Sequence, residues 1–217
     1  MRSKKKEIKN ILNRYSLTGA DFKKQKSALE IHYDEFNKNL QSKIEREEGS
    51  FMPLIFYCGV GHKKMNRVCR EYLTSNNSVE NQRIFDNYIT PLEEMIRDSP
   101  KIPTTINLFR FIDESEFQIM KKCYRKKTEY TREGFTSCTV STEVPNTLAE
   151  QNIRGKYMMI LKVPEGSSAI YLRDTIPYVS HGEREIIVQR MCKIKVNEIV
   201  RLNVDHTVLI CELINTL

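Results

Sequence analysis

Helical and β periodicities occupy separate halves of this 217-residue chain, and that segregation limits the folds open to it. Up to about residue 100, apolar side chains recur three and four apart. Ile8, Ile11, Leu12 and Tyr15 make a short stripe. Phe22, Leu29, Tyr33, Phe36, Leu40 and Ile44 keep one face of a second helix apolar; Thr18 can cap it, with Asp21 three residues on, and Gly49 can stop it. Pro53 opens a third segment, which Gly59-Val60-Gly61 breaks before helix resumes over residues 62–73. After the polar Ser75-Asn76-Asn77-Ser78, the residues Ile84, Tyr88, Leu92 and Ile96 set a last helix that Ser99-Pro100 ends. From Pro103 the pattern turns β-branched and aromatic. Residues 105–112, 135–140, 157–163, 169–172, 183–189, 193–200 and 207–213 read as strands, with a turn at Pro164-Glu165-Gly166. Helices first and strands after argue an α+β fold, with N-terminal helices packed on an antiparallel β core rather than a βαβ alternation.

Charge divides the chain differently. There are 35 Lys and Arg against 28 Asp and Glu, a net +7, which alone would point to nucleic acid or a membrane surface. Nine of those bases and two of the acids fall within residues 1–26, so residues 27–217 hold 26 of each. The excess belongs to a basic N-terminal arm, residues 1–26. Residues 27–217 form a neutral single domain, helical over 27–100 and β over 103–217, and its neutrality argues against a nucleic-acid partner. No apolar run reaches the ~18–20 residues of a membrane span; the longest is residues 51–58. The start, MRSKKKEIKN, is basic without an apolar stretch or a small-residue cleavage site, so it does not read as a signal peptide. The expected setting is cytosolic, or a host cell into which the chain is delivered as a secreted or injected effector. Cys58, Cys69, Cys123, Cys138, Cys192 and Cys211 form no CxxC pair and have no His at ligand spacing, which speaks against a metal site and a disulfide framework.

Three strands carry the residues with chemical potential. Glu183 and Glu185 open one strand after a loop containing Gly182; side chains two apart share a face, so the two carboxylates point the same way. One can stabilise a developing cation while the other polarises a nucleophile. Arg110 interrupts an apolar strand, where a guanidinium can grip a phosphate bidentately. Ser137 and Thr139 share a face of a third short strand and can order a carboxylate or amide. Each element has a plain structural reading as well: a solvated strand face, an outward arginine, ordinary β-propensity.

Taken in order, the arginine strand, the aromatic-x-Ser-x-Thr strand and the loop leading to Glu-x-Glu resemble the layout of the mono-ADP-ribosyltransferase toxins, the group with C3-like exoenzymes and the enzymatic subunits of actin-modifying binary toxins. Further stretches share the resemblance: Tyr57 followed by Asn66-Arg67-Val68-Cys69-Arg70, residues 99–103 before the arginine strand, and residues 161–166 and 169–172 before the loop. It covers about residues 50–215. It implies the ADP-ribosyltransferase fold, helices on two antiparallel sheets, and transfer of ADP-ribose from NAD to a protein with release of nicotinamide and no metal. Glu185 is then the group that stabilises the oxocarbenium-like transition state, and Glu183 orients the acceptor. A glutamate at that place goes with arginine acceptors and a glutamine with asparagine acceptors. Ser137 holds Glu185, while Arg110, Asn66, Arg70, Thr139 and Arg154 join Ser137 and Glu185 in binding NAD. Tyr178, Ser180, His181 and Glu183 lie in the acceptor-recognition loop, residues 174–182 and the glutamate that follows. Actin or a GTPase is the kind of target this implies.

The chain departs from that layout at identifiable positions. Cys138 and Thr139 stand where Thr and Ser are usual, and residues 146–154 hold no aromatic, leaving Leu148 or Ile153 as candidates for its place. Ser180 stands where an aromatic commonly precedes the first glutamate, with Tyr178 two residues earlier. Two other readings follow: an NAD glycohydrolase that passes ADP-ribose to water, and a binding module of the same fold that no longer turns over NAD. The run from Lys121 to Lys127, which includes Lys122, Arg125 and Lys126, reads as a solvated basic face.

Overall fold

The computed structural model describes residues 10, 13–15, 17–46, 49–72, 78–140, 156–173, 185–202 and 204–215. The expected stripe at residues 8–15 falls largely outside these residues. Helix α1, Gly19–His32, starts as the sequence predicts: the Thr18 hydroxyl accepts the Asp21 N–H and the Asp21 carboxylate accepts the Thr18 N–H at 3.0 Å. The helix expected to continue to residue 44 is interrupted at Tyr33 and restarts as α2, Asp34–Glu45. Tertiary contacts explain the corner. The Tyr33 ring is fully buried and its hydroxyl lies 2.6 Å from the Pro100 carbonyl and 2.9 Å from that of Ala169. Asn37 donates to Tyr33 and Tyr171 carbonyls at 2.9 and 3.1 Å. The charge boundary between residues 26 and 27 falls inside α1. Leu17 and Phe22 are buried, and the Phe22 ring centroid lies 4.7 Å from that of Phe109. From Leu17 onward the basic segment is therefore part of the folded body, because net charge says nothing about which face of a helix is apolar.

Helices α3, Met52–Phe56, and α4, His62–Tyr72, are joined through a π-helical turn, Tyr57–Gly61. The break expected at the glycines is a kink, with Gly59 at φ −84°, ψ −118° inside an otherwise helical run. A Cβ on Gly61 would come within 2.4 Å of the Phe56 ring, so only glycine lets the turn close there. Helix α5, Val79–Ile84, capped by Ser78, runs through a second π turn, Phe85–Ile89, into α6, Thr90–Asp98.

The strands are β1 Ile106–Ile112, β2 Tyr130–Arg132, β3 Thr136–Thr139, β4 Tyr157–Val163, β5 Ala169–Tyr171, β6 Glu185–Val188, β7 Cys192–Arg201 and β8 Thr207–Asn215. A helix that the sequence reading did not expect, α7 at Glu114–Lys126, follows β1, and the basic run is its C-terminal half. The order is β2-β7-β8-β4-β1-β3-β6-β5. All pairings are antiparallel except β4 with β8. The two expected antiparallel sheets are thus one ladder containing one parallel pair, and it narrows to the single registered pair Phe109↔Thr139 between β1 and β3. Strand pairing is non-local, so residue pattern alone could not supply either feature.

That narrowing separates two parts with different surroundings. In the three-stranded part, Cys138, Ala169, Tyr171, Ile186 and Val188 face the core shared with β1, β4, β7 and β8. The alternate residues Phe135, Ile170, Leu172 and Ile187 face a second core built with α2 to α6. β5 and residues 186–188 of β6 are buried on both faces, the condition in which strands read as nearly continuous apolar runs, while β3 alternates buried Thr136 and Cys138 with half-buried Ser137 and Thr139.

Candidate active site

The face of β3 and β6 that carries Ser137, Thr139 and Glu185 is the one that packs on the helices. Ser137 pairs with Ile187 and Thr139 with Glu185, and cross-strand partners share a face. Phe135 and Ile187 are buried against the helical layer; Ser137, Thr139 and Glu185, farther along the same face, are half-buried where that layer ends. The Ser137 hydroxyl donates to Glu185 Oε1 across this diagonal. On β1, Arg110 Nη1 donates to the Ser137 carbonyl at 3.2 Å. Arg110, Ser137 and Glu185, on three strands spread over 76 positions, thus form one connected array.

Helix α4 supplies the opposite wall. Asn66 and Arg70, one turn apart, line a groove of about 840 Å³ together with His62, Lys63, Lys64, Arg67, Arg110 and Arg132, against two acidic residues, Asp113 and Glu116. Such a surplus of cations favours a polyanion. Asn66 Oδ1 is buried with no hydrogen-bond partner among the described residues, and Asn66 Nδ2 lies 3.5 Å from the buried Tyr57 hydroxyl. Gly134 makes this packing possible, since a Cβ there would sit 2.3 Å from Asn66 Oδ1. Tyr57 also meets Phe135 edge-on, centroids 5.6 Å apart. Burial raises the Tyr57 hydroxyl well above its usual range, so it stays a neutral dipole beside the array. The Cys58 thiol is raised first by burial and then by the Glu185 carboxylate, to which it hydrogen-bonds. A protonated thiol and a serine hydroxyl therefore both meet Glu185.

Of the residues singled out from sequence, Arg110, Ser137 and Glu185 are brought together, Thr139 sits opposite Glu185, and Asn66 and Arg70 line the groove. Glu183, Tyr178, Ser180, His181 and Arg154 lie outside the described residues, as do Leu148 and Ile153. Sequence reasoning missed Glu116 and Arg132 and gave Tyr57 and Cys58 no role. Asp113-x-x-Glu116 ahead of Phe117 and Met120 was the available signal, a helix start followed by an apolar stripe. Among the described residues no group of three His, Cys, Asp or Glu could hold a metal ion, and no helix is long and apolar enough to cross a membrane.

A family model described as ADP-ribosyltransferase exoenzyme matches residues 29–217. Solved structures share the fold at low identity. Plx2a, an ADP-ribosyltransferase toxin from Paenibacillus larvae, superposes with a TM-score of 0.66 at 17% identity, over 90% of this chain and 97% of that one. The ADP-ribosylating toxin BECa of a binary enterotoxin of C. perfringens, solved with NADH, gives 0.63 at 18% identity, over 88% of this chain and 48% of that one. This chain therefore spans about half of BECa. The C3 exoenzyme of Clostridium limosum gives 0.58 at 13% identity, over 84% and 93%. No curated protein matches the sequence.

Proposed function

The chain belongs to the ADP-ribosyltransferase exoenzyme family, and on that premise we propose that it transfers ADP-ribose from NAD to an arginine side chain of a target protein. The observation that carries this reading is the Arg110–Ser137–Glu185 array at the end of a cationic groove. A dinucleotide needs both parts: fixed cations for its diphosphate, and a carboxylate where positive charge develops on the ribose. Asn66, Arg70 and Arg110 would take the diphosphate, with Arg154 and Thr139 as further NAD contacts. The glycosidic C1′–N bond breaks with its electron pair going to the pyridinium nitrogen, so nicotinamide leaves neutral and the ribose becomes oxocarbenium-like. Glu185, oriented by Ser137 and Cys58, stabilises that cation. A guanidinium nitrogen of the acceptor then forms the new bond to C1′ and loses a proton.

Arginine as acceptor rests on Glu183, whose carboxylate would pair with a guanidinium and draw its proton. Tyr178, Ser180 and His181 would meet the target's surface, and actin or a GTPase fits the type of target. Delivery into a host cell as a toxin or effector completes the proposal. The test is nicotinamide release and transfer of labelled ADP-ribose to agmatine by the purified chain. Glu183→Gln should lose transfer to agmatine while still cleaving NAD. Equal transfer by Glu183→Gln and the wild type would remove arginine as the acceptor; absence of NAD cleavage by the folded wild type would remove the activity.

A further inference from the structure

Glu116 lies on the first turn of α7, in the wall of the groove, and the chemistry above makes no use of it. Its carboxylate is ion-paired to two guanidiniums, with Oε1 2.9 Å from Arg132 Nη1 and Oε2 3.6 Å from Arg110 Nη2. The Glu116, Arg132 and Arg110 side chains are 7%, 9% and 20% exposed. Three separate elements converge here. Arg110 comes from β1 and Arg132 from β2, while Glu116 is held by a helix start in which the Asp113 carboxylate accepts its backbone N–H at 2.8 Å. Both arginine Nε–H groups are buried with no acceptor among the described residues. Removing one partner from a buried pair leaves an uncompensated charge, so the three side chains hold one another in place. Arg110 is a long side chain with several rotamers, and ordering it before the ligand arrives removes that entropy cost from binding.

Resting on the reading of Arg110 as a diphosphate-binding residue, we infer that Glu116 is a positioning residue. Anchored by Arg132, it fixes the Arg110 guanidinium so that its remaining donors face the groove and meet the diphosphate of the dinucleotide. Glu116 acts through Arg110 and does not itself contact the reacting atoms.

The test is calorimetric titration with ADP-ribose, which carries the diphosphate and needs no turnover, on the wild type, Glu116→Gln, Arg110→Met and the double variant. Glu116→Gln should weaken ADP-ribose binding by about tenfold, the scale of one lost charge-assisted contact. The double variant should bind no more weakly than Arg110→Met alone, since the two positions act as one. In NAD cleavage the same loss should raise KM with kcat nearly unchanged. A merely structural role would instead lower the melting temperature and the fraction of competent protein, leaving the affinity of the folded fraction intact. If Glu116→Gln does not fold, Glu116→Asp keeps the charge and shortens its reach, and should still weaken binding by about threefold or more. Unchanged affinity in the folded Glu116 variants, or losses that multiply in the double variant, overturn the inference. A wild type that binds no ADP-ribose overturns both it and the proposed activity. Expected binding effects without any NAD cleavage by the wild type overturn the activity alone.

Discussion

The two parts of the sheet differ in how they are held and in what they carry. On one side of the Phe109↔Thr139 pairing, β1 and β4 have 7 residues each, β7 has 10 and β8 has 9, with the 3-residue β2 at the edge. On the other side β3 and β6 have 4 each and β5 has 3. The long part supplies pairing and core, and of the array it contributes only Arg110, one residue from the border. The short part contributes Ser137, Thr139 and Glu185. Strands this short order poorly by themselves, yet these are clamped by apolar layers on both faces. Shortness also lets the fully buried Phe135 stand two residues from Ser137, so the hydroxyl that meets Glu185 sits at the end of a rigid apolar anchor. A site built this way is preorganised by its surroundings.

The sharpest way to break this contrast is to cut the long part and watch the chemistry. Leu209 is fully buried on β8, between Met159 of β4 and Ile199 of β7. Leu209→Ala should cost about 2.7–5 kcal/mol of stability. KM and kcat for NAD, measured well below the melting transition, should stay near wild type. If kcat falls in parallel with stability, the division of labour is wrong. The converse is Glu185→Gln, which keeps shape and removes charge. It should lower kcat for nicotinamide release by about 10²–10³, or about 2.7–4 kcal/mol of transition-state stabilisation, with an unchanged urea midpoint. A kcat within threefold of wild type would take Glu185 out of its assigned role.

Legibility in the sequence follows the same division. Every strand but β2 was visible because β-branched and aromatic residues cluster there, while β2, Tyr130–Arg132, is too short to show a pattern; the motif residues were visible because charge or hydroxyl interrupts an apolar run. What the sequence hid depends on partners distant in the chain. The corner at Tyr33 comes from a hydroxyl between the Pro100 and Ala169 carbonyls, and local periodicity continues through it. Helix α7 hid behind its charges, since five of the seven residues 121–127 are basic at Lys121, Lys122, Arg125, Lys126 and Lys127, while the inward face is carried by Phe117 and Met120. Arg132 was hidden because its ion-pair partner, Glu116, belongs to another element. The groove as a cationic surface could not be read from a net charge of zero over residues 27–217, because the acids are placed elsewhere.

A smaller change sharpens the contrast at the border between strand and helix. Gly134 precedes β3, and Gly134→Ala drives a methyl against Asn66 Oδ1 and Cγ, 2.3 and 2.8 Å from the new Cβ. Asn66 must move out of the groove wall. KM for NAD should rise on the order of tenfold, matching one lost polar contact to a charged ligand, with kcat nearly constant. A fall in kcat with constant KM would place Asn66 at the reacting carbon instead.

The smallest expected effect concerns the support of Glu116. Asp113 caps α7, and its carboxyl is held below its ordinary value first by the Glu116 N–H and then by the Ser115 hydroxyl. A carboxyl depressed in the folded state contributes stability above its unfolded pKa of about 3.9, and that stability is lost as pH falls through the lower folded value. Asp113→Ala should therefore cost about 1 kcal/mol at pH 7. The gap between the wild type and the variant in urea should narrow as pH drops below about 4, because protonation removes from the wild type what the substitution removes outright. A gap that stays constant down to pH 3 would mean that the carboxylate charge contributes nothing at this helix start. The cap would then act by shape alone, and the orientation of Glu116 would have to come from Arg132.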